Sequence, residues 1–556
     1  MLREGCDAGT NPIPAANRLM ANEYRLTPKP TVRLPANPTW RENPFHDNLW
    51  QFHYHSLVYV LQLEGAWART GENRYLDRAV FLLRDWLRDN PRSNPPSPFS
   101  WNDHSTAWRA AVLACTAEIV PVSTWLREAL LLHGSTLADP AFYRRHGNHA
   151  LNQSIALLDV GHVLNRTDWM QLASARINAL IEESVDVQGV TNEQSIGYQL
   201  YNYRRYLSAE DRLHACGQPI SRAFARVAKM PTFLGWATLP NGEYELIGDT
   251  SAAAATSIPG TLAEFAATAG TSGPPPAADF MAYDAGYAFG RTGWGAARPF
   301  ADEVAWSMRY GPGVQIHGHA DGGSLNVYGH GSRLLVGSGT YSYNPGPYRT
   351  YFLGRTAQNV VTVDGVAYRP GATTPLLGDV VTRTAFGVTV RIQGYAGISD
   401  VRSVAFSRRL GVLLVDDRLT ATSPRRFVQL WHLAPDSHPA ISGRTVRTAQ
   451  AGGDVDIRQL ADAGAIDVVN GETAPIQGWL TYTYNTKVAA PVVETSQRGS
   501  SVRFLTLIAP VTAPTVPVQV TSVVLRSDGY SAVVTVGGHT DRVVVRGTEV
   551  TVTAVN

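Results

Sequence analysis

Cysteine is scarce in this chain, with three in 556 residues, at positions 6, 115 and 216. The count is odd and the spacing matches no metal knuckle, so neither a disulfide framework nor a zinc finger is expected and the thiols read as incidental. An excess of charge of one sign is also missing. Forty-eight Lys and Arg stand against 46 Asp and Glu, a formal net charge of +2. That argues against nonspecific nucleic-acid binding, which needs a strongly basic face; a polyanionic substrate would have to be met by a local basic groove. No run of about 20 apolar residues occurs, so no membrane span is expected. The first residues, Met1-Leu2-Arg3-Glu4-Gly5-Cys6, lack the apolar core of a signal peptide. The protein is then cytoplasmic, or secreted or periplasmic with its leader already removed, and the low charged fraction with abundant Gly, Thr, Ser and Asn favours export.

What is present divides the chain, which is too long for one ordinary core. Residues 1–45, rich in Pro and Asn and without a sustained period, read as an irregular N-terminal arm. Residues 46–275 read as helical. Leu76, Ala79, Val80, Leu83 and Leu87 recur at three- and four-residue steps, with Arg78, Arg84, Asp85 and Arg88 opposite, which is the pattern of an amphipathic helix. Similar segments run over 49–69, 105–119, 123–133, 150–164, 168–183, 193–213 and 221–237, separated by short breakers. Helices in series joined by short loops become antiparallel neighbours and make an incomplete α/α toroid or an irregular bundle. Residues 252–276 end this half, the last part being a Gly- and Pro-rich linker. From 283 to 556 the period changes to two, as in Glu303–Tyr310, Phe386–Ile392, Val412–Arg418 and Ser501–Ile508, which predicts an antiparallel β-sandwich.

Chemistry-bearing residues concentrate at a few points. His317-Gly318-His319-Ala320-Asp321-Gly322-Gly323 presents two imidazoles two residues apart on a loop or strand edge. Both rings then face one cleft, or one faces it while the other is held by the strand. Gly147-Asn148-His149 opens a helix, where free N–H groups and the macrodipole favour an anion such as a carboxylate, and Asn148 shares a face with Asn152. Glu193-Gln194-Ser195-Ile196-Gly197-Tyr198 opens the next relevant helix, with Tyr198, Tyr201 and Arg205 on one face. Trp101-Asn102-Asp103-His104 suits either the lining of a sugar cleft or a helix start.

The His-x-His stretch, with Tyr348-Arg349 and with Arg355-Thr356-Ala357-Gln358-Asn359, resembles the C-terminal domain of the heparinase II/III-like polysaccharide lyases. Gly147-Asn148-His149 and Glu193-Gln194-Ser195-x-x-Tyr198 resemble two further stretches of that family. The resemblance implies an N-terminal incomplete (α/α) toroid followed by a C-terminal antiparallel β-sandwich, with a substrate cleft between the halves. It implies β-elimination on a uronic-acid polysaccharide, for which heparan-type glycosaminoglycan is the first expectation; alginate, hyaluronan or chondroitin are alternatives. Asn148, His149, Tyr198 and His317 are then the catalytic candidates. Asn148 would bind the uronate carboxylate, Tyr198 would act as base, acid or both, and His317 would lower the Tyr198 phenol pKa or share the proton transfer. His149 would serve the opposite sugar epimer. His104, Glu193, Arg349 and Arg355 are candidates for contact with substrate or for orienting the others.

Two rival classes remain: a glycoside hydrolase using Asp249, Glu243 or Glu193, and a noncatalytic carbohydrate-binding protein. The family resemblance also implies a structural zinc, held by the second His of His-x-His, an Asp before Ser-Gly and a His before Asn. Here His319 matches, but Gly337 and Gln358 occupy the other two positions. Glycine has no donor and glutamine is a poor zinc ligand, so no metal and no other cofactor is expected, with His319 and Gln358 linked by hydrogen bonds directly or through water.

Overall fold

The structure, a computed structural model, describes Cys6 and residues 9–555; the other residues of the Met1–Cys6 stretch, from which the missing signal peptide was read, lie outside the described residues. The chain forms two compact units, one running to Asp186 and taking in Tyr201–Ala228, the other made of Val187–Leu200 and the chain from Lys229 onward.

The first unit is helical. Its helices are α1 (Ile13–Met20), α2 (Asn48–Ser56), α3 (Val60–Thr70), α4 (Asn73–Asp89), α5 (Asp103–Thr116), α6 (Thr124–Ala138), α7 (Gly147–Val163), α8 (Thr167–Ser184) and most of α9 (Ile196–Ala215). Helix α1, and the short strand pair that Glu23–Tyr24 makes with Val32–Arg33, correct the reading of an irregular arm. The segment expected as one helix over 49–69 is two, because Leu57 takes a left-handed backbone (φ 57°) between α2 and α3. Neighbours along the chain pack on each other: α3 on α4, α5 on α6, α6 on α7 and α7 on α8, with α5 also against α2 and α7.

On α4 the buried stripe is Tyr75, Ala79, Leu82, Leu83, Asp85 and Trp86, turned away from Leu76, Val80 and Leu87. The two large aromatic rings take the inner face, and Asp85 goes with them because Trp40 Nε1 donates to its carboxylate at 2.9 Å. Helices α5 and α7 are buried on nearly every side, which is why neither shows a clean amphipathic period. Arg109 of α5 is fully buried, its guanidinium 3.5 Å from the Trp86 ring and donating to His133 Nε2 at 2.9 Å. Cys6 and Cys115 form a disulfide across 109 residues of sequence, which corrects the reading of the cysteines as incidental. Pairing at that separation leaves no local spacing signature. Cys216 is free, and burial pushes its thiol up to about 11.

Beyond Val187–Leu200, the second unit has α10 (Met230–Trp236) and α11 (Leu262–Ala267) and is otherwise built mainly of antiparallel sheet. Among the described residues, a five-stranded sheet (280–335) packs on a ten-stranded sheet (361–511), and a four-stranded sheet (518–555) packs on the far face of the second. The sandwich expected from the alternation is therefore extended by a third layer. Trp306, Phe386, Phe406 and Trp431 fill the first interface; Leu505, Leu507, Tyr530 and Val543 fill the second. The large sheet is organised by two long paired strands, Val412–His432 and Val492–Val511. Inside it the buried Arg402 guanidinium pairs with Asp417 at 2.6 and 2.9 Å. Among the described residues, no helix is long and apolar enough to cross a membrane.

Candidate active site

In the second unit three chain segments converge on one carboxylate. The His317 N–H donates to the Glu193 carbonyl at 3.1 Å and the Asp249 N–H to the His317 carbonyl at 2.9 Å, so backbone bonds lace 193, 249 and 317 together. Gly248 permits this. It has a positive φ of 61°, and a Cβ there would meet the Gln194 carbonyl oxygen at 2.2 Å. Gln194 itself is left-handed (φ 57°), so Glu193–Ser195 precedes α9 and does not form its first turn as the sequence suggested. The cost of that conformation is offset by the Gln194 side chain, which donates to the Gly313 carbonyl at 2.9 Å and accepts from Gln315 N at 2.8 Å. The Gly311-Pro312-Gly313 turn is thereby clamped, and with it the loop that carries His317.

Asp249 accepts from Arg349 Nη1 and Nη2 at 2.6 and 2.8 Å, from His317 Nδ1 at 3.1 Å and from His319 Nε2 at 3.1 Å. Burial alone would raise its carboxyl, but hydrogen bonds from Arg349, His317 and His319 more than offset this and hold it well below the usual carboxylate range. With both oxygens committed, Asp249 is a structural anion and unsuited to the acid role a glycoside hydrolase would require. Both His rings thus point to one carboxylate. His319 is buried, with Nδ1 2.9 Å from Ser338 Oγ, and Gln358 Nε2 donates to that same hydroxyl at 3.1 Å. The link between His319 and Gln358 runs through Ser338.

The Tyr198 ring, on the first turn of α9, stacks flat on His317, with centroids 3.4 Å apart and planes 9° off parallel. Its hydroxyl lies 2.8 Å from that of Tyr343. Burial pushes the Tyr198 phenol well above its ordinary value, and Tyr343, Asp249 and Glu193 push the same way. The expected lowering by His317 is therefore not what this environment does: Asp249, and Glu193 whose Oε2 lies 3.8 Å from His317 Nε2, surround the pair with negative charge. Tyr198 is held as a neutral phenol.

Two arginines expected to meet substrate are committed elsewhere. Arg349 is spent on Asp249. Arg355 is buried under the His-x-His loop, donating to the Gly322 carbonyl and lying 4.5 Å from the Tyr368 ring, so it shapes that loop.

The first unit carries a second cluster. His149, in the first turn of α7, places Nδ1 2.9 Å from Asp103 Oδ2. Burial raises the Asp103 carboxyl, but the His149 hydrogen bond and the charges of His149 and Arg144 leave it below its ordinary value. A carboxylate can only accept, so Nδ1 carries a proton, and the neutral form of the ring has its lone pair at Nε2. His104 is sandwiched between His149 (centroids 4.0 Å apart) and Phe52 (4.6 Å). Its Nε2 accepts from Trp108 Nε1 and is 2.9 Å from Asn152 Nδ2, which also donates to the Tyr201 hydroxyl at 2.7 Å. Asn148 is buried in the first turn of α7, which His146 precedes as N-cap.

Asp249, Tyr343 and Asp103 were not singled out for these roles from sequence. The partners of Asp249 lie 68 to 100 residues away, and the faint signals were the Gly-Asp-Thr turn at 248–250 and the Asn-Asp-His start of α5.

Models of two protein-family domains match this chain: "Heparinase II/III N-terminus" over residues 21–266 and "Heparinase II/III-like, C-terminal" over 275–507. The chain belongs to the heparinase II/III family. Comparison with curated protein sequences finds no match. Among solved structures, this heparinase II/III family member is similar to heparinase III (TM-score 0.81, 16% identity, 97% of this chain and 91% of that one). It is similar also to the heparan sulfate lyase HepC of Pedobacter heparinus (TM-score 0.70, 17% identity, 98% and 90%). A more distant likeness is to a chondroitin AC lyase of Streptomyces coelicolor (TM-score 0.56, 10% identity, 98% and 88%). At these identities the likeness establishes the shared fold, a toroid followed by antiparallel β-sheets.

Proposed function

We propose that this protein is a polysaccharide lyase that cleaves a uronate-containing polysaccharide by β-elimination, with heparan-type glycosaminoglycan as the first substrate class. The observation that carries the reading is the neutral, half-buried Tyr198 phenol stacked on an Asp249-anchored His317. Family membership and the printed activities of heparinase III and the heparan sulfate lyase support it.

In the elimination, the C5–H bond breaks, its electrons form the C4–C5 double bond, and the C4–O bond breaks with a proton delivered to the leaving oxygen. The C5 proton is weakly acidic, so the carboxylate must be neutralised and the enolate-like charge stabilised. Asn148, at the N-terminus of α7, is assigned to the carboxylate. His149, with Nδ1 tied to Asp103, is assigned as the base whose Nε2 lone pair takes the C5 proton. Tyr198 is assigned as the acid for the leaving oxygen, since a phenol with raised pKa is a donor first. His317 supports the Tyr198 ring, while Glu193, Arg349, Arg355 and His104 act as positioning residues. The Cys6–Cys115 disulfide supports export to an oxidising compartment.

The test is incubation with heparan sulfate, hyaluronan, chondroitin and alginate, following far-ultraviolet absorbance from the new carbon–carbon double bond. The reading predicts a rise on heparan sulfate. New reducing ends without absorbance would mark a hydrolase, and neither signal would mark a binding protein.

A further inference from the structure

A cavity of about 560 Å³ lies on the outer face of the ten-stranded sheet, beside the four-stranded sheet, and shares no residue with the Tyr198–His317 cluster. Strand register builds its floor. Arg391 is paired with Val401, Val401 with Arg418, and Arg418 with Arg503, which sets three guanidinium groups in one row across four strands. At about 4.8 Å per strand the row spans roughly 14 Å. One two-residue step along, Ser399 is paired with Thr420 and Thr420 with Ser501, a row of hydroxyls on the same face. The turn at Arg526–Ser527 closes the edge and brings a fourth guanidinium.

These cations are poorly balanced. Asp416 takes Arg503 at 2.6 and 2.9 Å and stands 3.6 Å from Arg418. Arg503 and Arg418 further donate to the Arg526 and Ser527 carbonyls at 2.7 and 3.3 Å, which fixes the turn against the sheet. The exposed Arg391 and Arg526 side chains have no hydrogen-bond or carboxylate partner among the described residues. Asp528, on the adjoining turn, and Glu549, at the start of the last strand, are exposed and do not line the cavity. Like charges placed directly opposite on neighbouring strands are destabilising, so Arg418 facing Arg503 with one carboxylate between them leaves an unmet demand for negative charge.

We infer that this groove is an accessory binding site for the anionic groups of an acidic saccharide. Guanidinium forks match sulfate and carboxylate oxygens bidentately, the hydroxyl row matches sugar hydroxyls, and the volume falls in the range of ligand sites. The separation of Arg391 from Arg503 suits a ligand with charges spread over more than one position. The inference goes beyond the lyase reading and rests on it only for the expectation that the saccharide comes from the substrate polymer.

The test is calorimetric titration of the full chain with two probes, sucrose octasulfate, which carries sulfate and no uronate, and a galacturonate trimer, which carries carboxylate and no sulfate. Neither measurement needs turnover, so absence of lyase activity would not affect it. Wild type is expected to bind at least one probe, and the responding probe identifies the anion. Arg391→Ser/Arg526→Ser is expected to weaken that binding at least tenfold with an unchanged thermal midpoint. Arg391→Lys/Arg526→Lys, which keeps charge and loses the fork, should fall between the two. Failure of wild type to bind either probe, or equal binding by wild type and the Ser double variant, would overturn the inference.

Discussion

Replacing Asp249 by Asn isolates the anion that holds the second unit's cluster together. The amide is nearly isosteric, but it places an NH₂ donor against one of four donors: Arg349 Nη1 and Nη2, His317 Nδ1 and His319 Nε2. Breaking a buried ion pair by removing one partner costs about 3–5 kcal/mol. The Arg349 side chain keeps 16% of its surface exposed and can partly rehydrate, which places the cost near the lower end, at about 3 kcal/mol, or a fall of roughly 4 °C in the midpoint of a unit this large. The pH dependence has a definite sign. The folded-state pKa of Asp249 is depressed, so its stabilising contribution is present above the unfolded value near 3.9 and is lost as pH falls through the folded value. Thermal unfolding of wild type and Asp249→Asn at pH 7 and at steps below pH 4 reads both quantities. The gap should be largest at neutral pH and narrow on acidification. A gap under about 1 kcal/mol at pH 7, or one of constant size down to pH 3, would refute the assignment.

Asp103→Asn replaces the acceptor-only carboxylate that fixes the His149 proton on Nδ1 with a neutral amide that can also donate, so initial rates should fall about a hundred-fold or more with an altered pH profile; an unchanged profile would remove His149 as a base. Reduction of Cys6–Cys115, or Cys115→Ser, should destabilise the helical unit by about 2–4 kcal/mol, seen as a lower thermal midpoint in reductant, and an unmoved midpoint would show the bridge to be energetically idle. Elemental analysis of protein purified without chelator should find no stoichiometric zinc, because Gly337 and Gln358 stand where the family's ligands would be; one zinc per chain, lost together with stability, would contradict this.

Element types were legible because period is written locally. The step from a 3.6-residue to a two-residue period near residue 280 marks the change from helix to sheet, and short motifs such as Gly-Asn-His and His-x-His carried the family resemblance. Rotation and partnership were not legible. Tyr75 and Trp86 turn α4 away from its apparent apolar stripe, and Leu57 breaks a helix with no glycine to announce it. Arg349 and Arg355 looked like free cations because a sequence does not show that a carboxylate 100 residues earlier, or the carbonyl of Gly322, already holds them. The sign of the Tyr198 shift was misread for the same reason. His317 was visible as a cation, whereas Asp249 and Glu193 enter its surroundings only when three separate segments fold together.

The central claim is that the glycosidic C–O bond breaks by elimination with Tyr198 supplying the proton to the leaving oxygen. Mass spectrometry of oligosaccharide products formed by wild type and by Tyr198→Phe, taken at initial rates on the same cleavable polymer, tests both halves at once. The account predicts product fragments lighter by one water than hydrolytic fragments, formed by Tyr198→Phe about a hundred-fold to ten-thousand-fold more slowly with the fold intact. Products that have gained a water, or near-wild-type rates in Tyr198→Phe, would contradict it.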